Sequence, residues 1–232
     1  MRLLKMFLLL SCCLPLLGLA QETETDTVQV DDKPERAAFE SSFINDNPTD
    51  IVNSKNTLEA VINHRMGLTN EGENDLLGIY GQANIRIGLT FSPHDRLQVG
   101  FGTEKVNKYQ YFNWNAALLR QTRSGRIPVN ISYYGNFVID ARKRENFALD
   151  QHRYSYFHQL IISRRFNPNL TLQVAPSISH YNVVPIGMEN DVIALSVGGR
   201  YKIGTSQTSI LFDYSQPFTD FTEDPDISDP VP

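Results

Sequence analysis

The thirteen residues Ile79-Tyr80-Gly81-Gln82-Ala83-Asn84-Ile85-Arg86-Ile87-Gly88-Leu89-Thr90-Phe91 decide how this chain is read. Ile79, Gly81, Ala83, Ile85, Ile87, Leu89 and Phe91 fall on one face of an extended strand. Tyr80, Gln82, Asn84, Arg86, Gly88 and Thr90 fall on the other. Successive side chains of a strand point to opposite faces, so this alternation is a β signal, and it runs longer than a soluble strand needs.

The same period recurs on both sides. Leu170, Leu172, Val174, Pro176, Ile178 and His180 alternate with Thr171, Gln173, Ala175, Ser177, Ser179 and Tyr181. Val129, Ile131, Tyr133, Gly135, Phe137 and Ile139 alternate with Asn130, Ser132, Tyr134 and Asn136. Nine strands are expected, at about 57–66, 79–91, 96–104, 109–120, 127–139, 153–166, 170–182, 192–203 and 208–216. No stretch has helical period.

Tight turns join strands two to three, four to five, six to seven and eight to nine: Ser92 to Asp95, Gln121 to Arg126, Asn167 to Asn169 and Gly204 to Gln207. Most other connections are longer and charged: Gly67 to Gly78, Asp140 to His152 and Val183 to Asp191, with a shorter Lys105 to Lys108. Alternating short and long connections mark an up-and-down outer-membrane β-barrel, with short periplasmic turns and longer external loops. The expected fold class is therefore all-β, an antiparallel transmembrane barrel with about nine strands present. Barrels of this type have even strand numbers, so nine predicts a chain truncated from ten to twelve. The acidic stretch 217–232, with Asp220, Glu223, Asp224, Asp226 and Asp229, then reads as an outer loop or truncated tail.

Composition alone points elsewhere. The 232 residues carry 21 Lys and Arg against 26 Asp and Glu, a net charge of -5. Such a balance does not suit a nucleic-acid binder, and a slightly negative mean hydropathy excludes a helical membrane bundle. The average is misleading because its parts differ. Residues 1–20 read as a signal peptide, with Arg2 and Lys5, an apolar stretch Met6 to Leu17, and Gly18-Leu19-Ala20 before a cleavage site near Ala20. Both cysteines, Cys12 and Cys13, leave with it, so no disulfide or thiolate chemistry is expected. Residues 21–55 are polar, acidic and without period. They read as a periplasmic linker, mostly disordered, in which Ala37 to Ile44 is a candidate docking piece. The barrel domain proper, 56–216, is net basic.

Three blocks carry a resemblance. They are Gly81 to Leu89, Arg96-Leu97-Gln98-Val99-Gly100-Phe101-Gly102, and Glu189-Asn190-Asp191-Val192-Ile193-Ala194-Leu195-Ser196-Val197-Gly198-Gly199-Arg200-Tyr201. With Asn63-His64-Arg65, they resemble an uncharacterised β-barrel family, a domain of unknown function common in Bacteroidetes. The likeness runs from about Phe39 to Pro217. It implies an outer-membrane barrel and supplies no activity or catalytic residues.

With the polar face inward, the lumen is expected to hold Glu59, Arg65, Arg86, Glu104, Arg200 and Asp213, beside Asn113, Asn115, Gln159 and Gln173. Such a set can line a pore or form an ion-paired plug, and the plug is the expected state of a narrow barrel. Aromatic girdles are expected at Phe91 and Phe166 on the inner rim and at Tyr109, Tyr154 and Tyr156 on the outer. His64, His158 and His180 lie toward the outer rim, with His94 and His152 elsewhere, too dispersed for a metal site. Ser179-His180 with Asp150 and His152 is the nearest thing to a catalytic set. Adjacent strand residues face opposite ways, so no catalytic residues are assigned. Arg120, Arg123 and Arg126 cluster at an inner turn. Arg142, Lys143 and Arg144 form an outer cluster that could meet lipopolysaccharide phosphates. Gly100-Phe101-Gly102 lies within a strand and is no phosphate loop, so no cofactor is expected. The expected function is a structural or narrow passive-channel barrel in outer-membrane lipid, without chemistry of its own. A soluble periplasmic barrel binding an apolar ligand and an outer-rim lipid-modifying enzyme are the alternatives.

Overall fold

The structure is a computed structural model that describes residues 32–65, 83–105, 108–185 and 188–219. Its described elements lie in the compact unit Lys33–Pro232. Two short strands come first, β1 (Phe43–Ile44) and β2 (Asn47–Pro48), followed by β3 (Leu58–Arg65), β4 (Asn84–His94), β5 (Leu97–Glu104) and β6 (Tyr109–Leu119). The chain continues through β7 (Asn130–Asp140), β8 (Tyr154–Arg165), β9 (Leu170–Tyr181), β10 (Asp191–Lys202) and β11 (Ser209–Pro217). Strands β3 to β11 form one nine-stranded sheet in sequence order, every neighbouring pair antiparallel. The nine strands coincide with the nine read from alternation, to within a few residues at each end. The expected start of the second strand, 79–82, lies outside the described residues, as do the signal peptide and the tail from 220 onward.

Local irregularities have local causes. β4 shifts register between Phe91 and His94, where Pro93 has no N–H to give a ladder. Pro176 sits inside β9, and the β8–β9 pairing lapses opposite it, between Gln159↔Ser177 and Ile162↔Val174, before resuming in the same register. Asn45, at the β1–β2 turn, takes a left-handed φ of 47°, a conformation that Asn tolerates well.

The two faces of the sheet are chemically opposite. One carries Gln98, Asn115, Ser132, Gln159, Ser163, Thr171, Gln173, Ser196 and Arg200, all buried. The other exposes Leu58, Ile62, Ile87, Leu89, Phe101, Phe112, Val174, Ile193 and Phe212, with Ile62 70% accessible. A soluble sheet puts its apolar face inward. Here the polar face is covered and the apolar face is bare, the arrangement a lipid-facing barrel requires.

The covering element is the N-terminal segment, and here the expectation of a disordered linker fails for residues 33–55. Pro34 bridges Thr122, and the Glu35 N–H donates to Gln121 O at 2.7 Å, so the segment enters beside the β6–β7 connection. It runs along the polar face, turns at Asn45-Asp46 and comes back. It leaves where the Lys55 N–H meets Asp95 Oδ1 at 2.8 Å and the Asn56 N–H meets Ser92 O at 2.7 Å. Both ends are therefore pinned at the short-connection end of the sheet, with the β1–β2 hairpin between them. Residues 21–31 lie outside the described residues.

This segment also reports the curvature. Ser42 Oγ donates to Glu59 on β3, the first strand, while Asn47 Nδ2 donates to Asp213 and Ser215 on β11, the last. A flat sheet would hold those strands about 38 Å apart at roughly 4.8 Å per strand. One hairpin can touch both only if the sheet wraps around it. The wrap is not closed among the described residues, since β3 and β11 do not pair.

Candidate functional site

The interior is assembled by side chains from all nine long strands meeting one segment. From β5, Gln98 Oε1 accepts the Asn53 N–H at 3.2 Å. From β6, Asn115 Nδ2 donates to Thr49 O at 2.9 Å and Ile51 O at 3.2 Å. β7 contributes the Ser132 hydroxyl to Asp50 O. β8 contributes Gln159 to Asn47 Oδ1 at 3.3 Å and Arg165 to Ala37 O at 3.2 Å. β9 contributes Thr171 to Ala38 O and Gln173 to Pro48 O, both at 2.8 Å. β10 contributes Arg200, paired with Glu40. Most of these are inward amides and hydroxyls aimed at backbone carbonyls of a segment whose own ladder is only the short β1–β2 pairing and the Pro34 bridge. They satisfy its buried polar groups as a ladder would.

Apolar packing fixes the depth of the hairpin. Ala38, Phe39 and Ile44 are buried together, with Ile51 against them. Ile44 Cδ1 lies over Gly198 of β10, where a Cβ would meet it at 3.2 Å. Phe43 meets the Tyr134 ring edge-on at 6.5 Å. Between β4 and β6, Gly88 and Gly102 clear the space that the inward Tyr111 ring fills, and any larger residue at Gly102 would enter that ring.

Each expected lumen charge has a definite place, Arg65 excepted, whose side chain lies outside the described residues. Glu59 accepts from Ser42 at 3.1 Å and Asn53 at 3.0 Å. Glu104 accepts from Asn84. Asp213 accepts from Asn47 at 2.6 Å. Arg200 pairs with Glu40, a residue that the linker reading had placed outside the barrel. Arg86 lies 3.7 Å over the Tyr111 ring and 5.9 Å from the Phe43 ring. Several interior oxygens lack a hydrogen-bond partner: Asn115 Oδ1, Gln159 Oε1, Gln173 Oε1 and Asp50 Oδ1. Asp50 belongs to the segment and not to a strand. Burial of its carboxylate raises its pKa from 3.8 to about 6, against the lowering effects of the Ser163 hydrogen bond and the Arg120 charge.

Four of the five expected girdle residues face outward at the two ends of the sheet. Phe91 and Phe166 border the short connections, the latter 5.0 Å from the Arg164 guanidinium. Tyr154 and Tyr156 start β8 beside the other connections, packed on Phe137 at 5.5 and 5.3 Å. Tyr109 lies on the same face of β6 as Tyr111, Asn113 and Asn115 and so turns inward, not into a girdle. Outward at mid-strand, the Tyr133 hydroxyl meets His158 Nδ1 at 2.8 Å with the rings stacked, and Trp114 packs beside both.

The residues near a catalytic pattern are not brought together. His180 uses both ring nitrogens, on Asp191 at 2.7 Å and Asn182 at 3.0 Å, while Ser179 faces an interior cavity. Asp150 pairs with Arg144 at 3.1 Å. Among the described residues no three His, Cys, Asp or Glu side chains converge on one point. In the outer cluster, Arg142 is held by Asp140 at 2.6 Å and Arg144 by Asp150, so two of the three cations already have carboxylates. At the other end, Arg120 is tied to Asp95 O.

Sequence reasoning missed Asn47, Thr49 and Asp50. The available signal was the run of apolar residues Phe39, Phe43, Ile44, Ile51 and Val52 within an otherwise acidic stretch, too sparse to show a period.

Residues 39–231 match the family model described as "Membrane bound beta barrel domain (DUF5777)". The match begins at Phe39, so it takes in the β1–β2 hairpin as well as the nine-stranded sheet. No curated protein and no solved structure matches the chain.

Proposed function

From the premise that this chain belongs to the family of membrane-bound β-barrel domains, a family of unknown function, we propose that it is an outer-membrane barrel of structural type. In this reading its interior is filled by its own N-terminal segment, it has no chemistry of its own, and its signal peptide is removed near Ala20. The observation that carries the reading is the seating of residues 37–53, which engage inward side chains on every strand from β3 to β11. An open channel needs a continuous water path. Here the interior holds a segment whose apolar side chains Phe39 and Ile44 are buried. The outward apolar face supports membrane insertion over the soluble alternative, because so many large aliphatic side chains in water would be an aggregation hazard. A lipopolysaccharide contact in the outer cluster falls to Lys143, the cation there that no described carboxylate holds.

Reconstitution tests this. Full-length protein in planar bilayers and in sugar-loaded liposomes is expected to give no steady conductance and swelling no faster than protein-free vesicles. A stable open-channel conductance from the unmodified protein would overturn the filled-interior reading in favour of a passive channel. Recovery in the soluble fraction, with no heat-modifiable gel mobility, would overturn membrane insertion itself.

A further inference from the structure

Arg86 stands apart among the inward charges. Of the inward ionised groups Glu59, Glu104, Asp213 and Arg200, the first three are held by neutral amides and hydroxyls, and the cation Arg200 pairs with the Glu40 carboxylate. Arg86 has two rings and the phenol oxygens of Tyr111 and Tyr134, and no described carboxylate lies within ion-pair reach. Its cross-strand neighbour Glu104 is turned to Asn84. Ring contacts ease the partial desolvation of this half-buried guanidinium but leave its charge in place, and an anion can pair with it there.

Beside Arg86 is a cavity of about 200 Å³, lined also by Tyr134, Asn136, Ser177, Ser179 and Ser215. The β1–β2 hairpin supplies its floor through Asn47 and Pro48. Arg86 lies near the start of β4 and Ser179 near the end of β9, so the cavity sits toward the long-connection end, away from the entry of the N-terminal segment. The donors it offers are the Arg86 guanidinium N–H groups and the hydroxyls of Ser177, Ser179 and Ser215. Asp46 lines the same cavity but already makes an interaction of its own.

We infer that this cavity is a binding site for a small oxyanion, a carboxylate or a phosphate, with Arg86 as its charge partner and Ser177 and Ser179 as hydroxyl donors. The fork of a guanidinium matches two oxygens of such a group, and the volume limits the ligand to a small acid. The inference rests on the filled interior, since the hairpin is the floor of the site.

Isothermal titration of the full-length protein in detergent micelles, at ionic strength fixed with chloride, tests it. Succinate and inorganic phosphate are the probes, and succinamide is the uncharged control. One saturable site is expected for at least one of the two anions, and which one binds separates an organic acid from a phosphate. Arg86→Gln is expected to weaken that binding at least tenfold. Arg123→Gln, at an exposed turn of the opposite end, is expected to leave it unchanged. Should Arg86→Gln not fold, Arg86→Lys and Ser179→Ala are each expected to weaken binding at least threefold. Absence of saturable binding by both anions, equal binding of succinamide, or unchanged affinity in the Arg86 and Ser179 variants would overturn the proposal. None of these outcomes depends on conductance, so failure here is distinguishable from failure of the filled-interior reading.

Discussion

Asp50 gives the interior a pH dependence that can be worked out from its surroundings. Its carboxyl is buried against the sheet's inward face, one oxygen has no partner, and burial pushes its pKa up from 3.8 to about 6. For an acid with a raised native pKa, the folded state binds more protons than the unfolded chain between those two values. Its contribution to stability is then most favourable below about pH 4, declines as pH rises to 6, and is flat above that. Two pH units at about 1.4 kcal/mol each put the cost of the ionised group at roughly 3 kcal/mol. Asp50→Asn removes the charge and keeps the shape. At pH 7.5 the variant is expected to be more stable than the parent by up to about 3 kcal/mol, with the difference shrinking to near zero by pH 4. Urea unfolding of the full-length protein in micelles measures this through the fluorescence of its one tryptophan, Trp114. Other carboxylates titrate in both proteins and cancel in the difference. A fixed effect of the new amide would appear as an offset equal at every pH. A parent–variant difference that does not change between pH 4 and 7.5 would refute the reasoning.

Ile44→Ala empties a site that is 1% accessible at the hairpin. It is expected to cost about 2–4 kcal/mol in the same unfolding assay, with faster proteolysis after the nearby Arg36. Asn115→Ala strands the carbonyls of Thr49 and Ile51. A loss of about 1–3 kcal/mol is expected, together with faster amide exchange across residues 49–53 while β7 and β8 keep their protection. Gly102→Val drives a side chain into the Tyr111 ring and is expected to destabilise by at least about 1–3 kcal/mol. Adding Tyr111→Ser should recover part of that loss, and a double-mutant cycle with no coupling would remove the explanation. Tyr133→Phe breaks the outward hydrogen bond to His158, and unfolding from bilayers should reveal a cost of about 1 kcal/mol.

The strands were legible because their signal is local and redundant. Every second residue from Ile85 to Phe91 is large and apolar, and a one-residue slip would turn Arg86 into lipid and Ile87 into the interior. Alternation therefore specified both the strands and their faces, and alternating connection lengths specified the meander. The same reasoning located Glu59, Arg86, Glu104, Arg200 and Asp213 on the inward face. It could not find their partners, because none is adjacent in sequence: Glu40 is 160 residues from Arg200, and Asn47 is 166 from Asp213.

Residues 33–55 show where sequence gives out. Taken alone they are acidic, aperiodic and too poor in apolar groups to fold, which is why they read as a linker. A hairpin of two paired residues a side has little stability of its own in water. It is ordered because the wrapped sheet offers a ready-made set of amides and hydroxyls at the spacing of its carbonyls, together with a gap above Gly198 that Ile44 fills. Local chemistry determined the strands, their order and the two faces. Only the tertiary structure decided what fills the interior, because the energy that holds residues 33–55 comes from groups on nine strands that a linear reading never brings together.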